Sequence, residues 1–173
     1  LKLEIKIKQF KEFKDNFINK DFNNQIIKSM YEITNDHQIS KKIIHDLFDG
    51  VESDLKNEVT INSKKELLIY CYRVAGTVGL MMAKILNVKR QNALKAAIDL
   101  GIAMQLTNIA RDVVEDNTKN RKYIESNFES IKSTLIIADS FYKSSFLSIM
   151  DIPISSRFAI LVARRVYRQI GNN

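Results

Sequence analysis

The stretch Leu100–Asp116 reads LGIAMQLTNIARDVVED and sets Gln105, Asn108, Asp112 and Asp116 three or four residues apart. At about 100° per residue these side chains, with Gly101 and Glu115, fall within about 60° of one line along a helix. Leu106, Ile109, Ala110, Val113 and Val114 occupy most of the remaining circumference. An ordinary surface helix has a broad polar face and an apolar stripe. Here the proportions are reversed, which predicts a helix buried on most sides with a narrow polar row facing a wet internal cavity. Asp112 and Asp116, one turn apart, can converge on a hard cation that takes oxygen ligands, and Asn108 offers a third oxygen one turn earlier. Magnesium prefers one or two carboxylates together with water and phosphate oxygens, so the trio reads as half of a diphosphate site. The competing reading makes DVVED the solvated end of a helix. Arg111 and Arg121 flank the carboxylates. Either they grip phosphate oxygens in a bidentate fashion, or they pair with Glu115 and Asp116 as salt bridges.

These residues need a scaffold, and the chain supplies helices. The string SKKE forms a capping box, with Ser63 as N-cap and Glu66 at the third helical position, and opens a helix that runs to about Asn87. Along it Tyr70, Val74, Val78 and Met81 form one column and Gly76, Gly79 and Ala83 another. The small-residue column predicts close helix packing. The Tyr-headed column is either ordinary core or the wall of a hydrocarbon pocket. LKLEIKIK alternates like a strand, yet Leu3, Ile7, Phe10 and Phe17 keep helical spacing, and the segment is assigned as helix. Further helices are expected over about 22–34, 40–57 (preceded by Ser40) and 92–116. A loop holds NTKNRKY, and two helices lie on either side of Pro153. Five Gly, one Pro and no repeat or low-complexity linker leave an all-α single domain as the natural reading.

At 173 residues the chain can bury about 70% of the surface its unfolded form would expose, so size alone demands no disulfide or structural metal. A single Cys71 cannot form an intramolecular bridge, and His37 and His45 alone make no Cys/His zinc pattern. A reducing, cytoplasmic setting fits. Asp99, Gln105, Asn108 and Asp112 interrupt the longest apolar candidate, so no membrane span is predicted. The formal net charge of +7 suits a nucleic acid, an anionic membrane surface or a phosphorylated substrate. No nucleic-acid module stands behind the basic residues, and no nucleic-acid partner is expected.

The strings YCYRVAGTVGLMM (Tyr70–Met82) and LGIAMQLTNIARDVVED, followed by NRKY (Asn120–Tyr123), resemble the two best-marked segments of the squalene/phytoene synthase family. HDLFDGVESDL (His45–Leu55) resembles the segment preceding them. The wording QLTNIARD is more similar to the bacterial phytoene synthase branch than to eukaryotic squalene synthase. The resemblance implies an isoprenoid synthase helical bundle around a central cavity. It also implies magnesium, with manganese as a substitute, held by Asn108, Asp112 and Asp116 and bridging to a prenyl diphosphate. Gln105, Arg111, Arg121 and Tyr123 would contact the substrate's diphosphate end, with Tyr167 of ARRVYRQI near it. Tyr70 would stand by the reacting carbons, and Val74 and Val78 would line the prenyl cavity. Asp112, Asp116 and Tyr70 are thus the catalytic candidates.

The activity implied is head-to-head condensation of two geranylgeranyl diphosphates, through a cyclopropyl diphosphate, to phytoene without NADPH. A C30 squalene or dehydrosqualene-type product, a non-catalytic assembly protein, and a helical module binding anionic lipid are the alternatives. Peripheral contact with a membrane is also open. Residues 1–173 are expected to form a partial domain, because the family's first Asp-rich motif would lie upstream of Leu1 and a final helical segment beyond Asn173. Asn120 stands where Gly commonly precedes Arg, and Ile124–Glu125 replaces Leu-Pro, changes that bear on the loop carrying Arg121.

Overall fold

A computed structural model describes residues 3–171. Helices α1 (Leu3–Ile18), α2 (Gln25–Asp36) and α3 (Lys41–Asp54) precede a long helical rod. That rod is α4 (Lys64–Cys71), a π-helical turn (Tyr72–Gly76) and α5 (Thr77–Ile85) in unbroken succession. The central α6 (Gln91–Thr118) follows, then α7 (Phe128–Phe146), a short 3-10 turn (Ile149–Asp151) and α8 (Ile154–Ile170). The helix starts follow local chemistry. Asn24 accepts from the backbone N–H groups of Ile26 and Ile27, Ser40 from Lys42, and Asn127 from Ser130. Ser63 accepts from the Glu66 N–H at 3.2 Å, while Glu66 reaches back to the N–H of Asn62 at 2.9 Å rather than to that of Ser63.

At 28 residues α6 is about 42 Å long and packs against α7, the α4–α5 rod and α8. The main core gathers Leu67, Tyr70, Ile102, Leu106, Ile109 and Tyr142 between these helices. A second core joins α1, α2 and α3 through Phe17, Ile27, Tyr31, Ile44 and Phe48. The opening residues are helical from Leu3, and of α1 only Phe17 is buried. Leu1 and Lys2, also expected in that helix, lie outside the described residues.

The all-α expectation holds, with two additional features. Val59–Thr60 (β1) and Arg121–Lys122 (β2) form a two-residue parallel ladder, Val59 opposite Arg121 and Thr60 opposite Lys122. It ties the loop before α4 to the loop after α6. In addition, Lys64–Ile85 (22 residues, mean hydropathy 1.2) is long and apolar enough by length and composition to cross a membrane, where no such helix was expected. In the fold its apolar side chains serve contacts with α3 and α6 and one wall of a cavity.

Candidate active site

The α6 row forms as its spacing predicts. Gln105 and Asn108 face a cavity of about 610 Å³, and Asp112 and Asp116 continue the line one and two turns beyond Asn108. The Asn108 Oδ1 is buried with no hydrogen-bond partner, which is costly for a polar atom unless something binds it. Asp112 is gripped by its neighbour: Arg111 Nε donates to Oδ1 at 2.6 Å and Nη2 to Oδ2 at 2.7 Å. This bidentate pair holds the Asp112 carboxyl below the usual carboxylate range. Asp116 has the opposite environment, where burial and then the adjacent Asp112 charge push its carboxyl up.

Around the row Leu106, Ile109, Ala110 and Val113 are buried as expected. Val114 is instead 68% exposed. Glu115 leaves the row for a surface pair with Lys119. Neither arginine pairs with Glu115 or Asp116: Arg111 takes Asp112, and Arg121 takes Asp54.

The cavity lies between α5, α6 and α8, its walls including Val74, Val78, Met82, Leu100 and Ile160. It extends along α6 from Ala93 to Asn108, roughly 22 Å at 1.5 Å per residue. Leu86, Val88 and Ala93 make up the apolar end remote from the carboxylates. The helix pair behind it is antiparallel and close. A Cβ on Gly79 would meet the Ala97 carbonyl oxygen at 2.2 Å, and one on Gly101 the Ala75 oxygen at 2.3 Å. Gly79 of the small-residue column therefore does pack backbone to backbone. The Tyr-headed column needs a correction at its end: Met82, not Met81, reaches the cavity, while Met81 packs on the second core. The π turn explains this. It inserts about one residue into the helix, so the place that Met81 would hold relative to Tyr70 in a straight helix passes to the next position.

Tyr70 itself is off the cavity wall. It lies in the main core together with Leu106 and Tyr123, and its ring stacks on Tyr123 with centroids 4.8 Å apart. Both hydroxyls converge on Asp54, the last residue of α3: Tyr70 donates to Oδ2 at 2.9 Å and Tyr123 to Oδ1 at 2.9 Å. Arg121 completes the group, its Nη2 donating to the Asp54 carbonyl at 2.9 Å and its Nη1 lying 3.3 Å from Oδ1. Burial raises both phenols above their ordinary ionisation range. The β1–β2 ladder delivers Arg121 to this spot. Asn120, just before it, has φ of 55°, a left-handed conformation that Gly adopts freely and Asn tolerates. The exchange of Gly for Asn therefore leaves the turn possible. Tyr167 packs against the main core.

With α-helices enclosing an apolar cavity and the polar row at one end, residues 2–127 match the sequence profile of the family described as Squalene/phytoene synthase. The chain belongs to the squalene/phytoene synthase family. Among its relatives, the 15-cis-phytoene synthase of Pantoea ananas is 34% identical over 161 residues, covering 81% of this chain and 52% of the relative. Phytoene synthase 1, chloroplastic, of Zea mays is 32% identical over 152 residues, covering 72% and 37%. The chain thus spans about half, or less, of the length of the curated relatives it matches. Among solved structures, the squalene synthase HpnC from Alicyclobacillus acidocaldarius superposes with a TM-score of 0.76 at 11% identity, covering 94% of this chain and 71% of that one. A dehydrosqualene synthase gives 0.67 at 25%, covering 94% and 72%. The fold is that of these helical isoprenoid synthases.

For a squalene/phytoene synthase the donor set at the row has a definite chemistry. Among the described residues no three His, Cys, Asp or Glu side chains come together to hold a metal ion by themselves. Two carboxylates and the orphaned Asn108 oxygen fit magnesium, whose remaining ligands are ordinarily water and phosphate oxygens. Of the residues singled out in the sequence, Gln105, Asn108, Val74 and Val78 meet at the cavity, and Tyr70, Tyr123 and Arg121 meet at Asp54. Nothing in the sequence singles out Asp54. Its string His45–Leu55 is acid-rich, with Asp46, Asp49 and Glu52 nearby, and nothing in the spacing separates the buried-side acid from the solvated ones.

Proposed function

We propose that the complete protein is a phytoene synthase-type enzyme that joins two geranylgeranyl diphosphates head to head, through a cyclopropyl diphosphate, to C40 phytoene. The observation that carries this reading is the long apolar cavity ending in Gln105 and the unpartnered Asn108, with Asp112 and Asp116 continuing the same line. Phytoene synthases among the relatives support the C40 product over a C30 squalene or dehydrosqualene-type one.

Asn108, Asp112 and Asp116 would hold magnesium, or manganese with the same oxygen donors. When bound, the metal supplies neutralisation of the diphosphate charge as the allylic carbon–oxygen bond ionises. Gln105 would orient that diphosphate through its amide, Arg111 would add a bidentate guanidinium contact, and Arg121 would add its remaining N–H edge. For Arg111 this requires exchanging Asp112 for the incoming anion. Val74, Val78 and Met82 would keep water from the cationic chain. Tyr70, whose hydroxyl is held on Asp54 away from the cavity wall, would frame the diphosphate end with Tyr123 and Tyr167. NADPH is not required for this product.

Peripheral membrane association of a cytoplasmic enzyme is the second element of the reading. It is favoured by the outward face of α8, where Ile154 and Phe158 are 81% and 77% exposed and several arginines share the helix. A non-catalytic assembly role would leave the acidic row free to erode, and the row is intact. The test is to give the complete protein geranylgeranyl or farnesyl diphosphate separately with magnesium and no NADPH, and to identify hydrocarbons by mass spectrometry. Phytoene is expected. Exclusive C30 product would overturn the chain-length assignment, and no hydrocarbon with either substrate, also after NADPH is added, would favour the assembly role.

A further inference from the structure

We propose that Asp54 is a positioning residue that fixes Arg121, and with it the Tyr70–Tyr123 pair, against the diphosphate end of the cavity; this rests on the function proposed above. Four contacts converge on this one residue. Its carboxylate takes the hydroxyls of Tyr70 and Tyr123 and the Nη1 of Arg121, and its backbone carbonyl takes Arg121 Nη2. The partners come from α4, β2 and the residue that follows β2, more than fifteen residues away in sequence, so the contact is tertiary and not an incident of a local turn.

The geometry divides the Arg121 guanidinium into two edges. Nη1 and Nη2 are committed to Asp54 and, at 3.3 Å, to the Tyr123 hydroxyl. Nε has no partner among the described residues. Arg121 follows Asp116 by five residues, on the short strand that leaves the C-terminal end of α6. An arginine on a two-residue strand would otherwise sample many rotamers; held on one side, its free edge is preset for an anion that meets the Asp116 end of the row. Asp54 therefore acts through Arg121, and it touches neither the cavity wall nor the acidic row.

The prediction is specific to coupling. In the complete protein, binding of inorganic pyrophosphate with magnesium is followed by calorimetry for wild type, Asp54→Asn, Arg121→Ala and the double variant, with far-UV circular dichroism at the same temperature. Asp54→Asn keeps the side chain's shape and should keep the helical spectrum. Its pyrophosphate Kd should rise about tenfold, the worth of one charge-assisted hydrogen bond. In the Arg121→Ala background the same substitution should cost no further affinity. Asp54→Glu, which restores the charge, should recover part of the loss. Unchanged affinity and turnover in a folded Asp54→Asn protein would overturn the proposal, and so would a tenfold loss that persists without Arg121. Failure of the wild type to bind magnesium pyrophosphate would remove the proposed function itself. Wild-type binding that Asp54→Asn leaves untouched removes only this inference.

Discussion

Substituting Gly101 by Ala tests the seam that places both the cavity and the row. A Cβ at this position would stand 2.3 Å from the Ala75 carbonyl oxygen, 2.7 Å from its carbon and 3.0 Å from the Gly76 nitrogen, whereas ordinary contact begins near 3.4 Å. The obstacle is backbone, so no rotamer change relieves it, and α6 must draw away from the π turn by about 1 Å. Overpacking of this kind costs typically about 1–3 kcal/mol, and a main-chain obstacle belongs at the upper end. Replacing a helical Gly by Ala returns about 1 kcal/mol through helix propensity. The net loss should be about 2 kcal/mol, a fall of roughly 4–8 °C in Tm for a chain of this size. Gly171→Ala is the control, since its Cβ would meet the movable tip of Leu135 at 2.9 Å and should be close to neutral. Urea denaturation of the complete protein followed by circular dichroism gives both values. Because Gly101 also lines the cavity, the same shift should lower turnover more than Gly171→Ala does. Wild-type stability for Gly101→Ala would refute the close seam, and with it the register that puts Val74 and Val78 on the cavity wall.

Asp112→Asn and Asp116→Asn should each abolish turnover and the rise in Tm that magnesium pyrophosphate gives the wild type; a ligand-induced rise that survives in either variant, or full activity in excess EDTA, would count against the metal role. Without metal the two should part. The raised carboxyl of Asp116 opposes folding once ionised, its contribution being lost as pH rises through the folded value, so Asp116→Asn should be more stable than wild type at neutral pH. Asp112, held low by Arg111, contributes stability above 3.8 that is lost as pH falls through its folded value, so Asp112→Asn should be less stable there. Melts at pH 7 with chelator decide the order. On the same sign, Asp139 is held low by Lys143 and Arg168 at 2.8 and 2.6 Å. Wild-type Tm should therefore drop below about pH 4 more steeply than that of Asp139→Asn, and parallel curves would show that this tie between α7 and α8 carries no stability. Asn120→Gly should be tolerated, while Asn120→Ala at φ 55° should cost about 1 kcal/mol in urea denaturation; equal stability of the two would show that the turn does not need a left-handed residue.

Helical geometry made the row on α6 legible from the sequence. Residues three and four apart must share a face wherever a helix forms, and a capping residue such as Ser63 acts on its own neighbours, so Asn108, Asp112 and Asp116, the start of the α4–α5 rod and the family strings could all be read before any packing was known. What happens between segments could not be read that way. That Arg111 turns to Asp112 and Arg121 to Asp54, and that Glu115 faces solvent with Lys119 while Val114 stays exposed, depends on which surfaces neighbouring helices leave free. Met82 takes the cavity position expected of Met81 because of a π turn, whose extra residue leaves no mark in a pattern counted at 3.6 residues per turn. Asp54 is the clearest case. Along the chain it is one acid among several near the end of a helix, and only the antiparallel docking of α4–α5 on α6, with the short β1–β2 ladder, brings two phenols and a guanidinium from distant segments onto its carboxylate.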